Sequence, residues 1–145
     1  MASISHKVLV PYTKEQMFNL VNDVASYTEF LPGCTYSKVL SETDSALKAR
    51  VELQKGPVNV YWISENANVY HDSITIRYIE STFSHMSGKW LFTSSTESSC
   101  EVSFSLDYDF SSRLVRMAIS PVLNAMIITI VNCFKSRAKE VYSNV

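Results

Sequence analysis

Three histidines and three cysteines are the side chains of this sequence best suited to metal or covalent chemistry, and their spacing argues against both. His6, His71 and His85 stand far apart, and none has a His, Cys or carboxylate at i+2 to i+4 suited to share its face, as a metal site usually needs. Asp72 directly follows His71, so on a strand it points the other way. Cys34, Cys100 and Cys133 are odd in number and widely separated, which fits a reducing compartment better than a disulfide framework. There is no Gly-rich phosphate loop, no Gly-x-Ser-x-Gly elbow and no paired catalytic carboxylate on an apolar background. Asp107 and Asp109 share a face, but it is the wet face of a strand. Arg137, with Glu140 three positions on, falls near the buried side of a helix, as an internal ion pair or a polar anchor at a cavity end. Neither a catalytic residue, a metal site nor a cofactor is expected.

What remains is chemistry by shape. Trp62, Tyr78, Trp90 and Phe104 occupy inward strand positions. Their rings can stack on a planar ligand, and an indole N–H or phenol can bond a ligand oxygen. They suit an ordinary aromatic core equally well. In Phe30-Leu31-Pro32-Gly33-Cys34, Pro32 holds Leu31 extended and Gly33 allows a sharp reversal. That corner either plugs the core or gates an apolar site. Met126, Ile130, Cys133 and Phe134 supply an opposite wall or simple packing.

The elements that position these groups can be read from periodicity. Residues 3–10 alternate as a strand, Pro11 stops it, and Thr13 with Gln16 forms a capping box opening a helix that buries Met17, Phe18, Leu20 and Val21. A second helical turn covers Val24 to Phe30. From there to residue 110 the period is two, with Gly56-Pro57 as a turn and Asn66-Ala67-Asn68 as a turn or bulge. The strand at 100–110 has the clearest alternation. The order predicts an antiparallel sheet with one buried face, and only the C-terminal helix, about Arg113 to Tyr142, is long enough to cover it. Pro121 should bend that helix.

The helix is unusually apolar. Residues placed every 100° put Val115, Val122, Met126, Thr129 and Cys133 on one face and Arg113, Arg116, Ser120, Asn124, Lys135 and Lys139 opposite. Ile127 and Val131 fall inside the polar stripe, which predicts a small apolar patch facing outward among basic residues. Arg113, Arg116, Ile127, Val131, Lys135 and Lys139 are therefore the expected membrane or partner surface. A membrane span is disfavoured by Arg116, Pro121, Asn124 and Asn132.

Composition bounds the rest. The 145 residues suit one domain over 1–145, the hydrophobic fraction of 46% is that of a folded chain, and only three Gly and four Pro argue against linkers. The net charge of −1 gives no global footprint for nucleic acid, and DNA is not an expected partner. The N-terminal residues lack the features of a signal or transit peptide, so a cytoplasmic location is expected, with peripheral contact at the inner membrane.

Leu20-Val21-Asn22-Asp23 with Tyr27 and Phe30-Leu31-Pro32-Gly33-Cys34, then Gly88-Lys89-Trp90-x-Phe92, then Phe134-x-x-Arg137-Ala138-Lys139-Glu140-Val141-Tyr142 resemble three ordered signatures of the ubiquinone-binding START-like family, within the polyketide cyclase and lipid-transport superfamily. Ser81-Thr82-Phe83 stands where many members carry Gly-Pro-Phe, a departure expected to alter the hairpin there and the cavity mouth. The resemblance implies an α+β helix-grip (START/Bet v 1-like) fold, a curved antiparallel sheet wrapped around the long helix with two short helices after the first strand. It also implies non-enzymatic binding of ubiquinone or another polyprenyl lipid between sheet and helix, in support of respiration. The candidate ligand site is Tyr27, Phe30, Leu31, Pro32, Trp62, Tyr78, Phe83, Trp90, Phe104, Met126, Ile130 and Phe134. Two other readings stay open: a toxin that binds the large ribosomal subunit and blocks subunit association, as some members are named, and an aromatic polyketide cyclase. The cyclase would want an acid or base inside the cavity, where only His6 and Arg137 offer one.

Overall fold

The computed structural model describes residues 2–142. β1 (Ala2–Val10) buries Ile4 and Val10. Thr13 then caps α1 (Lys14–Asn22): its hydroxyl accepts the Gln16 N–H at 3.2 Å, while Gln16 Oε1 accepts the Thr13 N–H at 2.9 Å. Met17, Phe18, Leu20 and Val21 are the buried face of α1, as the spacing predicts. A 3-10 turn (Val24–Ser26) leads into the one-turn α2 (Tyr27–Phe30).

Six strands follow as an antiparallel meander: β2 (Cys34–Glu42), β3 (Ala46–Lys55), β4 (Val58–Val69), β5 (Ser73–Ser81), β6 (His85–Thr96) and β7 (Ser99–Asp109). β1 pairs with β7, giving the order β1-β7-β6-β5-β4-β3-β2. One face is apolar, shown by Leu47, Ala49, Val51 and Leu53 on β3 and by Cys100, Val102, Phe104, Leu106 and Tyr108 on β7, all buried. α3 (Arg113–Tyr142) lies against it, packed on β1, β7 and α1. This is the expected α+β helix-grip arrangement.

Three sequence expectations need correction or completion. Asn66-Ala67-Asn68 is not a turn; it continues β4, paired with Ile76, Thr75 and Ile74, and the irregularity falls at Ile63/Ser64. Asparagine favours turns because its side chain competes for local backbone groups, but here the Asn66 amide is engaged by Ser64 and the backbone is left to the ladder. The β5–β6 hairpin forms without Gly-Pro. The Ser81 hydroxyl accepts the Phe83 N–H at 3.1 Å and Thr82 Oγ1 accepts the Tyr61 N–H at 3.0 Å, so side chains supply the turn bonds. Phe83 is buried against Phe110, with ring centroids 4.6 Å apart.

The third correction concerns the rotation of α3. Ile127 and Val131 do not form an outward patch; they are 6% and 0% exposed. Arg116 and Ser120, read as outward, face the sheet. Arg116 Nη1 bonds Asp109 at 3.1 Å, and the Ser120 hydroxyl accepts the Tyr108 O–H at 2.7 Å. The real inner stripe is Leu123, Met126, Ile127, Val131, Phe134 and Ala138, roughly a quarter turn from the expected one. An outward apolar surface exists, but it is Leu114, Val115 and Met117, with Leu114 79% and Met117 61% exposed. By length and composition α3 could cross a bilayer, yet its stripe from Leu123 to Ala138 is already buried in the core.

Candidate ligand-binding site

Curvature of the sheet around the middle of α3 leaves a cavity. Its floor is inward strand positions, where alternation puts every second side chain. β3 contributes Ala49, Val51 and Leu53, β4 Trp62, Ser64 and Asn66, β5 Ile74, Ile76 and Tyr78, β6 Met86 and Trp90, and β7 Phe104 and Leu106. Its roof is Leu123, Met126, Ile127, Ile130 and Phe134 of α3, and one end is closed by Val21, Val24, Tyr27 and Leu31. Of the residues expected at a ligand site, Tyr27, Leu31, Trp62, Tyr78, Phe83, Trp90, Phe104, Met126, Ile130 and Phe134 meet around this one space. Phe30 and Pro32 do not. Phe30 lines an outer groove with Arg137, and Pro32 lines another with Gly33, Gln54, Lys55, Met126, Thr129 and Ile130.

The open space at the centre is about 70 Å³. Small-molecule pockets run to roughly 300–1,000 Å³. The aromatic side chains themselves fill most of the volume, so a ring-sized guest has to displace them. These rings form one connected cluster. Trp90 packs on Phe104 at 4.6 Å and edge-on to Phe134 at 5.3 Å. Phe134 also meets Tyr27 at 5.4 Å and Phe30 at 5.3 Å. Phe134 thus joins the cavity centre to α2.

One of the two outer grooves shares wall residues with the cavity. Met126 and Ile130 border both the cavity and the groove beside Pro32 and Lys55, so those two side chains are the partition between them. Gly33 makes that corner possible. Its φ is +79°, and a Cβ there would run into the Gln54 carbonyl oxygen. The Gly33 carbonyl in turn accepts the Gln54 N–H at 2.8 Å.

Arg137 lies outside the cavity. Its guanidinium sits 5.0 Å over the Phe30 ring and pairs with Glu140 at 3.3 Å and Glu29 at 3.8 Å, fastening α2 to α3. It is a surface clasp between helices, and not an anchor at the cavity end. His6, opposite Phe104 in the β1–β7 ladder, does not line the cavity either. Among the described residues, the only titratable groups in the wall are Tyr27 and Tyr78. Burial pushes both phenols well above their ordinary range, so they are neutral at physiological pH. Tyr27 donates its hydroxyl hydrogen to the Val21 carbonyl. No group of three or more His, Cys, Asp or Glu able to hold a metal gathers among the described residues.

Ser64 and Asn66 were not anticipated as wall residues. Their signal was present, since carrying the alternation of Val60 and Trp62 two steps further points both inward. The turn or bulge expected at Asn66-Ala67-Asn68 obscures that signal.

Residues 10–135 match the family model for polyketide cyclase/dehydrase and lipid transport proteins. Among curated proteins the chain is 38% identical to "Ribosome association toxin RatA" of Escherichia coli, covering 99% of this chain and 90% of that one. It is 27% identical to "Coenzyme Q-binding protein COQ10 homolog B, mitochondrial" of Xenopus laevis, over 95% of this chain and 58% of the other. The fold superposes on the Zhui aromatase/cyclase from Streptomyces sp. R1128 with a TM-score of 0.86 at 16% identity, over 95% and 93% of the two chains. The chain therefore belongs to the polyketide cyclase/dehydrase and lipid transport family.

Proposed function

We propose that this protein binds a polyprenyl quinone such as ubiquinone, or a similar ring-bearing lipid, between the sheet and α3, and carries it without transforming it. The observation that carries this reading is the cavity wall: predominantly aromatic and aliphatic, with Ser64 and Asn66 as uncharged polar members and neutral phenols as the only titratable groups among the described residues. Such a wall can sequester an apolar molecule and has no base for cyclisation. The relative named as coenzyme-Q-binding supports the same ligand class. The likeness to an aromatase/cyclase, at 16% identity, is one of fold.

Burial of a few hundred Å² of lipid tail at ~25 cal/mol per Å² contributes several kcal/mol, comparable to what holds the lipid in a bilayer. Exchange with a membrane is then near balance. Leu114, Val115 and Met117, exposed beside Arg113, form the surface we assign to transient contact with an anionic inner-membrane face, in keeping with a cytoplasmic protein that visits the membrane. Trp62 and Trp90 provide the test. Titration with ubiquinone should quench tryptophan fluorescence saturably at one ligand per chain. Absence of saturable quenching, with no uptake by mass spectrometry, would reject the reading.

A second reading, association with the large ribosomal subunit, is favoured by the 38% identity to the protein named RatA. Lys135 and Lys139 are exposed on α3, while Arg116 is turned inward to Asp109. If this reading holds, Lys135→Glu with Lys139→Glu abolishes co-sedimentation with large subunits and leaves quinone quenching unchanged.

A further inference from the structure

Within the apolar cavity one patch is polar. Ser64 is 1% exposed and Asn66 7%, both on the inner face of β4 and both part of the wall. The Ser64 hydroxyl donates to Asn66 Oδ1 at 2.9 Å. That leaves the amide N–H groups of Asn66 with no partner among the described residues, at the edge of the cavity space. The Asn66 amide nitrogen is not among the fully enclosed unpartnered polar atoms, so it borders open space and is free to donate to a guest in the cavity.

A second donor stands nearby. In the ladder Asn66 and Gly88 are the two cross-strand partners of Ile76, and Ser64 is opposite Tyr78. Because Gly88 has no side chain, the Tyr78 ring leans across it: a Cβ there would lie 3.3 Å from the Tyr78 hydroxyl oxygen. That hydroxyl makes no hydrogen bond to a described residue and is not among the fully enclosed unpartnered atoms, so it too faces open space. Asn66 and Tyr78 thus place two neutral donors at one level of the sheet, with Ile76 between them.

The rest of the wall restricts what can sit there. None of the lining residues is Lys, Arg, His, Asp or Glu. A carboxylate or phosphate head would be stripped of water with no cation to compensate it. We infer that Ser64, Asn66 and Tyr78 form a head-group subsite that selects an uncharged lipid bearing a carbonyl-type acceptor on its ring. Asn66 donates to that oxygen, Tyr78 on the neighbouring strand offers a second donor to another acceptor of the ring, and Ser64 holds the Asn66 amide in place. The subsite discriminates against fatty-acid anions, phospholipids and plain hydrocarbons. This rests on the apolar-ligand reading above and adds the ligand's charge, its acceptor and its orientation.

The test compares three probes by displacement of Nile red from the intact protein: decylubiquinone, decylbenzene and decanoate. The wild type should prefer decylubiquinone, with decanoate weakest. Asn66→Leu should weaken decylubiquinone about tenfold, the scale of one lost buried hydrogen bond, and leave decylbenzene within about twofold. Tyr78→Phe, which removes a single oxygen, should act in the same direction and serves if the leucine variant does not fold. Unchanged decylubiquinone affinity in folded Asn66→Leu and Tyr78→Phe would overturn the subsite while leaving the carrier reading intact. A wild type that binds none of the probes would overturn both.

Discussion

Between Leu123 and Ala138, α3 turns an apolar stripe to the sheet and roofs the cavity; between Arg113 and Ser120 it turns polar side chains to the sheet and leaves Leu114 and Met117 in water. Both stretches belong to one helix with one rotation, so the same angular face that is apolar over the cavity is polar over the end of β7. The reason is what each half meets. The middle meets a curved apolar floor. The first turns meet the Tyr108 hydroxyl and the Asp109 carboxylate, which need donors and acceptors. A helix can thus cover a core with one half and present an apolar surface with the other, without being amphipathic in either simple sense.

The sharpest way to break this comparison is to put a charge on each half. Val131→Asp should cost several kcal/mol and leave most of the chain unfolded, because the carboxylate is buried without a partner. Leu114→Asp should move stability by no more than about 0.5 kcal/mol. Circular dichroism melts read both, and similar melts for the two variants would refute the assigned rotation. Next in size is Gly33→Ala at the corner beside the cavity partition. Its positive φ alone costs about 1–3 kcal/mol, and collision with the Gln54 carbonyl adds to it, so chemical denaturation should show a clear loss.

A smaller effect separates function from folding. Leu114→Ser with Met117→Ser should reduce co-sedimentation with phosphatidylglycerol vesicles about tenfold, through lost apolar insertion, at near-unchanged stability. Retained vesicle binding would move the membrane surface elsewhere. The mildest prediction concerns Asp109. The Phe110 N–H, and then Arg116, hold its carboxyl below the ordinary carboxylate range. A lowered folded pKa stabilises fully above the unfolded value, about 3.9, and that contribution disappears as pH falls through the lower folded value. Amide protection in the first turns of α3, relative to the unfolded chain at the same pH, should therefore fall in acid below about pH 4, and Arg116→Ala should diminish the change.

The sequence conveys the fold well because its local signals agree. The capping box at Thr13, the stop at Pro11 and the unbroken alternation of β7 each point to one structure. The aromatic half of the cavity is legible for the same reason: Trp62, Tyr78, Trp90 and Phe104 are fixed inward by strand period. The rotation of α3 is not legible. A helix apolar on several sides has no dominant face, and the polar residues used to orient it have their partners, Tyr108 and Asp109, on another element. The polar patch escaped for a related reason, since the turn preference of Asn66 is cancelled by a neighbour two residues away.

The carrier account is tested most directly by native mass spectrometry of the purified protein, followed by extraction and identification of any bound lipid. The account predicts one neutral, ring-bearing isoprenoid lipid per chain, or stoichiometric uptake of added ubiquinone. A protein that carries no lipid, takes up none, and pellets with large ribosomal subunits would contradict it.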